Sequence, residues 1–125
     1  MMTCSNFLLG QQMPWVYNVH SGGKKIPSSN YEKIREQVET YAAKRPWKNH
    51  YKLQVRFKDQ FCYVDALETD GTVSHLGRLR HFNDGKWSIA FYTYSNDRYQ
   101  PCFMGNGSEE GTLEEGLAVC ETYLI

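Results

Sequence analysis

The chain has 125 residues, enough for one domain but not comfortably for two. Fourteen basic residues balance fourteen acidic ones, so no global field favours nucleic acid or an anionic membrane, and any such binding has to come from a local patch. No apolar run approaches the ~20 residues that span a bilayer, and a domain of this size buries roughly two-thirds of its unfolded surface, so neither metal nor disulfide is required for folding.

Residues 1–27 read as an N-terminal arm, partly flexible. Trp15–His20 is either an edge strand or a segment laid across the sheet, and Ser21-Gly22-Gly23-Lys24-Lys25 has the composition of a joint. Phe7-Leu8-Leu9 is too short for a signal-peptide core, and no basic residue precedes it. Residues 28–125 form the domain proper. A first helix is predicted from about Asn30 to Lys44, opened by a Ser29/Glu32 capping box and closed before Pro46. Tyr31, Ile34, Val38, Tyr41 and Ala42 form its apolar stripe.

Four strands follow: YKLQVRFK, FCYVDALE, SHLGRLRHF and KWSIAFYTY, joined by connections short enough for hairpins. Leu53, Val55 and Phe57 alternate with charged or polar residues, and a tight turn at Asp59-Gln60 sets Val64 opposite Val55 and Arg56 opposite Tyr63. The third hairpin admits two registers, and a one-residue slip exchanges the faces. A two-residue Asp84-Gly85 turn pairs Arg80 with Ile89. A three-residue Asn83-Asp84-Gly85 loop, with Gly85 in the left-handed conformation, pairs Leu79 with Ile89 and His81 with Trp87. The second is preferred, because it avoids burying Arg78 and Arg80 without partners.

Gln100–Met104 reads as a short fifth strand, which Pro101 confines to an edge. A closing helix begins at a Thr112/Glu115 capping box, with Leu113, Leu117, Cys120 and Leu124 as its stripe. Gly116 weakens that helix by about 1 kcal/mol relative to alanine. The expected fold class is α+β: an antiparallel meander of four or five strands, with the N-terminal and C-terminal helices packed on one face.

The runs RPWKNHYKLQVRFKDQFCYVDALE, LGRLRHFNDGKWSIAFYTYSNDRYQPC and LEEGLAVCETYL resemble a small bacterial family of single-domain proteins without an assigned activity, of the kind carried on mobile gene cassettes. The resemblance spans roughly residues 27–124. It implies the domain boundary and carries over no functional residue.

Motifs that carry chemistry are absent. His20, His50, His75 and His81 lack metal-ligand spacing, and there is no nucleophile elbow and no phosphate-binding loop. Cys4, Cys62, Cys102 and Cys120 are scattered, so no disulfide framework, metal site or cofactor is expected, and the chain reads as cytoplasmic and reduced. The one constellation left is the second sheet face, where Arg56, Tyr63, Asp65, Arg78, Arg80, Tyr92 and Tyr94 gather. Arginine offers donor forks for carboxylate or phosphate, and tyrosine offers stacking surface. The bland alternative is an ordinary solvated face with weak cross-strand pairs.

Three functional readings stay open. The leading one is a non-catalytic binding module for a protein partner or for self-association, since Arg and Tyr are enriched at interfaces. The second is a binder of an anionic small ligand or single-stranded nucleic acid, against which the missing RNA-binding motifs count. The third is a small hydrolase or nuclease using His75, His81, Arg78 and Arg80, with Asp65 as acid or base.

Overall fold

The computed structural model describes residues 22–124. Five strands, β1 (Tyr51–Lys58), β2 (Phe61–Glu68), β3 (Val73–Asn83), β4 (Lys86–Thr93) and β5 (Arg98–Cys102), form one antiparallel sheet in the order β1-β2-β3-β4-β5. Helix α1 (Tyr31–Ala43) precedes the sheet and α2 (Leu113–Cys120) follows it, continued by a 3-10 turn at Glu121–Leu124. The architecture is the expected α+β meander. Trp15–His20 and the rest of residues 1–21 lie outside the described residues.

Both helices cover the same face. Ile34 and Val38 of α1, and Leu113, Leu117 and Cys120 of α2, share one core with Leu53, Val64, Leu79, Trp87 and Ile89. Ile26, fully buried, completes this core from the chain ahead of α1. It is tied there by a backbone bond from its N–H to the Asp59 carbonyl, and Lys24 N–H donates to the His81 carbonyl.

Two local expectations are corrected. The Ser29/Glu32 box does not form at α1. Ser28–Asn30 is already a 3-10 turn, and Asn30, the N-cap, has helical φ/ψ with no side-chain bond. The incoming 3-10 turn leaves no extended residue for a cap to bridge. At α2 the expected box is present: Thr112 Oγ1 accepts from Glu115 N–H, and Glu115 Oε1 accepts from Thr112 N–H.

The second correction concerns the β3–β4 hairpin. Leu79 does pair with Ile89 and His81 with Trp87. The register, however, is not set by a left-handed Gly85, whose φ is not positive. It is set by an irregularity between His81 and Asn83, after which Asn83 pairs with Lys86 and Asn83 Oδ1 accepts from Gly85 N–H. One extra residue in the strand does the work of one extra residue in the loop. The outcome for the faces is the same, and Arg78 and Arg80 point away from the helices.

A second irregularity has larger consequences. Between β2 and β3 the pairing runs Val64 with Gly77 and then Asp65 with His75, so Leu76 is the extra residue. Unbulged alternation from Arg80 and Arg78 would set Leu76 on the outward face and His75 in the core. The bulge reverses this: Leu76 is buried in the core and His75 stands beside Asp65 on the outward face. The backbone of the displaced residue is met by Tyr94, whose hydroxyl accepts from His75 N–H at 2.6 Å and lies 3.3 Å from its carbonyl.

Candidate functional site

The outward face is built by residues of one parity in each strand: Lys52, Arg56 and Lys58 in β1, Phe61, Tyr63 and Asp65 in β2, Arg78 and Arg80 in β3, Tyr92 in β4 and Tyr99 in β5. The only acidic residues in the five strands are Asp65 and Glu68, and Glu68 pairs with Tyr51 at the opposite parity. The strands therefore set five cations and one carboxylate on this face, and Asp97 of the β4–β5 turn adds a second carboxylate at its Tyr92 end. The chain is neutral as a whole but strongly basic here.

Asp65 is only 3% exposed. Its two oxygens are held by Arg56 Nε at 2.7 Å and by His75 Nδ1 at 2.8 Å. A carboxylate paired with Arg56 accepts and does not donate, so His75 Nδ1 carries a proton and, in the neutral ring, Nε2 is the nitrogen with the lone pair. The hydrogen bond to Asp65 raises the Arg56 pKa above its usual value, against the smaller opposing effect of burial.

The aromatic rings lean together over the sheet. Tyr99 on the edge strand packs edge-on against Tyr92 at 5.0 Å and against Tyr63 at 5.4 Å, and its hydroxyl lies 3.5 Å from Arg56. Tyr92 also contacts the His75 ring at 5.1 Å, and its hydroxyl donates to Asp97. That bond is the main reason the Tyr92 phenol is pushed up to about 12, whereas burial is the first cause of the rise at Tyr99. Arg56, Lys58, Tyr63, His75, Tyr92 and Tyr99 line an open concavity of about 530 Å³. This lies within the size range of small-ligand sites.

Arg78 and Arg80 are differently placed. The Arg78 guanidinium sits 4.4 Å from the Phe61 ring centre and 5.4 Å from that of Tyr99, and Arg80 lies 4.8 Å from Phe61. Among the described residues, no carboxylate forms an ion pair with either. Arg80 Nη1 donates to the Gly22 carbonyl at 2.8 Å. Burial, and then the charge of Arg78, lowers the Arg80 pKa.

Of the seven residues singled out in the sequence, Arg56, Tyr63, Asp65 and Tyr92 are brought together around the concavity, and Arg78 and Arg80 flank it over Phe61. Tyr94 stands at the rim, stacked on Tyr123. Five contributors to the face, Lys52, Lys58, Phe61, His75 and Tyr99, were not in that set. Phe61 and Lys58 were legible from parity alone. His75 was not, because nothing in the sequence marks the bulge. Tyr99 falls before the expected fifth strand, so it had no assigned parity.

Among the described residues no group of three or more His, Cys, Asp or Glu is disposed to hold a metal ion, and no helix is long and apolar enough to cross a membrane. His81, the other histidine of the sheet, is buried on the core side, where Nδ1 donates to the Lys24 carbonyl at 2.9 Å and the ring packs on Trp87. Comparison with known proteins places no relative beside this chain: no family model, curated protein or solved structure matches it.

Proposed function

We propose that this protein is a small binding module whose outward sheet face takes single-stranded nucleic acid. The supporting observation is the charge of that face: five cations against the two carboxylates of Asp65 and Asp97, beside a concavity walled by tyrosine rings. A basic groove tracking phosphates, with aromatic rings on which bases stack, is the usual construction for single strands. Self-association through the same face is disfavoured, since a two-fold contact would set these cations against their copies. An acidic protein segment would satisfy the charges but leave the tyrosine rings without a matching group. The balanced charge of the whole chain argues against nucleic acid only when the charges are taken as evenly spread.

The test is fluorescence anisotropy with labelled ten-nucleotide single strands over a range of salt. Affinity should fall steeply with salt, and Arg78→Gln with Arg80→Gln should lower the log–log slope by about 1.4, at roughly 0.7 for each phosphate that is no longer neutralised. Binding that ignores salt would overturn the reading. So would displacement of the oligonucleotide by a poly-glutamate peptide at equal concentration, which would mark the partner as an acidic protein.

A further inference from the structure

We propose that His75 is a general base that cleaves the bound strand when that strand is RNA. The inference rests on the nucleic-acid reading above and adds an activity to it. Four observations carry it. His75 Nδ1 is committed to Asp65 at 2.8 Å, and Asp65 is buried and held on its other side by Arg56 at 2.7 Å. The tautomer is therefore set, with Nε2 as the basic nitrogen. The imidazole is 42% exposed and lines the concavity, and among the described residues nothing occupies Nε2. The ring cannot swing freely, because Tyr92 packs against it and Tyr94 holds its backbone. Arg56 and Lys58 line the same concavity, where they can face a phosphate.

A base oriented by a buried carboxylate, beside cations, lacks only a nucleophile, and among the described residues no serine, threonine or cysteine lines this concavity. RNA supplies its own. Nε2 takes the proton of a 2′-hydroxyl, and the O2′ oxygen attacks the adjacent phosphorus. The O2′–P bond forms as the P–O5′ bond breaks, and the departing 5′ oxygen takes a proton from water. The products are a 2′,3′-cyclic phosphate and a 5′-hydroxyl, and His75 returns its proton to solvent. No oxidation change, metal or co-reactant is needed. Arg56 and Lys58 offset the charge that builds on the phosphorane oxygens. Asp65 is a positioning residue, acting through His75.

The experiment uses the full chain with a ten-nucleotide single-stranded RNA in the presence of EDTA, alongside the same sequence as DNA and as 2′-O-methyl RNA. RNA should be cut to fragments ending in 2′,3′-cyclic phosphate, while the two strands without a free 2′-hydroxyl are bound and left whole. His75→Gln keeps the side-chain length and adds no charge. With protein in saturating excess, so that any change in affinity does not enter the rate, it should cleave RNA at least about 100-fold more slowly, the usual contribution of a positioned base. RNA that is bound but left uncut by the native chain overturns cleavage and leaves the binding reading standing. Cleavage by His75→Gln at the native rate overturns the role of His75. If none of the three strands binds, the binding reading falls and this inference falls with it.

Discussion

Glu121 shows how much a single side chain can depend on partners far away in sequence. It is 7% exposed and receives Arg45 Nε at 2.7 Å, Arg45 Nη2 at 2.9 Å and the indole N–H of Trp47 at 2.9 Å. Its three donors come from the segment that joins α1 to β1, so this one carboxylate fastens the 3-10 turn after α2 to the α1–β1 connection. Tyr41, pushed up to about 12 chiefly by burial and then by the nearby Glu121 charge, lies against the same group. Replacing Glu121 by alanine leaves a buried indole donor without its acceptor, for which the expected cost is about 1–3 kcal/mol. Urea unfolding of the variant checks this, and an unchanged midpoint would show that water replaces the carboxylate without loss. Asp65 is shared in the same manner between Arg56 and His75, but on the open face, where the His75 ring stays part-exposed.

At the scale of elements, α2 meets the sheet at unusually close range. A Cβ placed on Gly116 would stand 2.2 Å from Cδ2 of Leu79, and one on Gly77 would stand 2.7 Å from Sγ of Cys120. Helix propensity alone favours alanine at Gly116 by about 1 kcal/mol. Close packing opposes it, because Leu79 is fully buried and has nowhere to retreat. Overpacking of this kind costs about 1–3 kcal/mol, so Gly116→Ala is expected to destabilise the protein by about 1 kcal/mol net, read as a lower melting temperature. A rise in melting temperature would mean that Leu79 repacks freely. The two irregularities of β3 are the other decisions taken at this scale. One holds Arg78 and Arg80 outward, and the other exchanges Leu76 for His75, so the composition of the outward face depends on both.

The molecule as a whole carries buried thiols at the centre of its core. Cys62, Cys102 and Cys120 are all buried. Burial pushes the Cys62 thiol up from 9.0 to about 12 and pushes Cys120 up further. The sign of the resulting pH dependence follows from which form the native state keeps. The folded chain holds these thiols protonated, whereas the unfolded chain ionises them near 9, so their contribution is complete below pH 9 and is lost as pH rises towards 12. Stability should fall by about 1.4 kcal/mol per pH unit for each such thiol in that window. Urea unfolding at pH 8, 9.5 and 10.5 measures it, and Cys62→Ala should flatten the decline. A curve that stays level to pH 10.5 would show that the thiols reach solvent in the folded state.

Alternation in β1 and β2, the helical stripes and the Thr112/Glu115 box were sufficient for the α+β meander, its strand order and the side on which both helices lie. These are local patterns, and each states its own period without reference to the rest of the chain. The outward position of Arg56, Tyr63 and Asp65 followed from the same parity, and that of Arg78, Arg80 and Tyr92 from choosing the hairpin register that leaves the arginines unburied. What parity could not contain was a change of phase. Whether His75 or Leu76 faces the core depends on one unpaired residue, stabilised by a tyrosine hydroxyl nineteen positions away and by a leucine-sized space under the sheet. Gly116, a weak point by propensity, is a contact surface once Leu79 stands opposite. Glu121, a surface residue by type, is buried once Arg45 and Trp47 enclose it. In each case the deciding interaction joins segments distant in the sequence, so its energy exists only when the sheet and both helices are already in place.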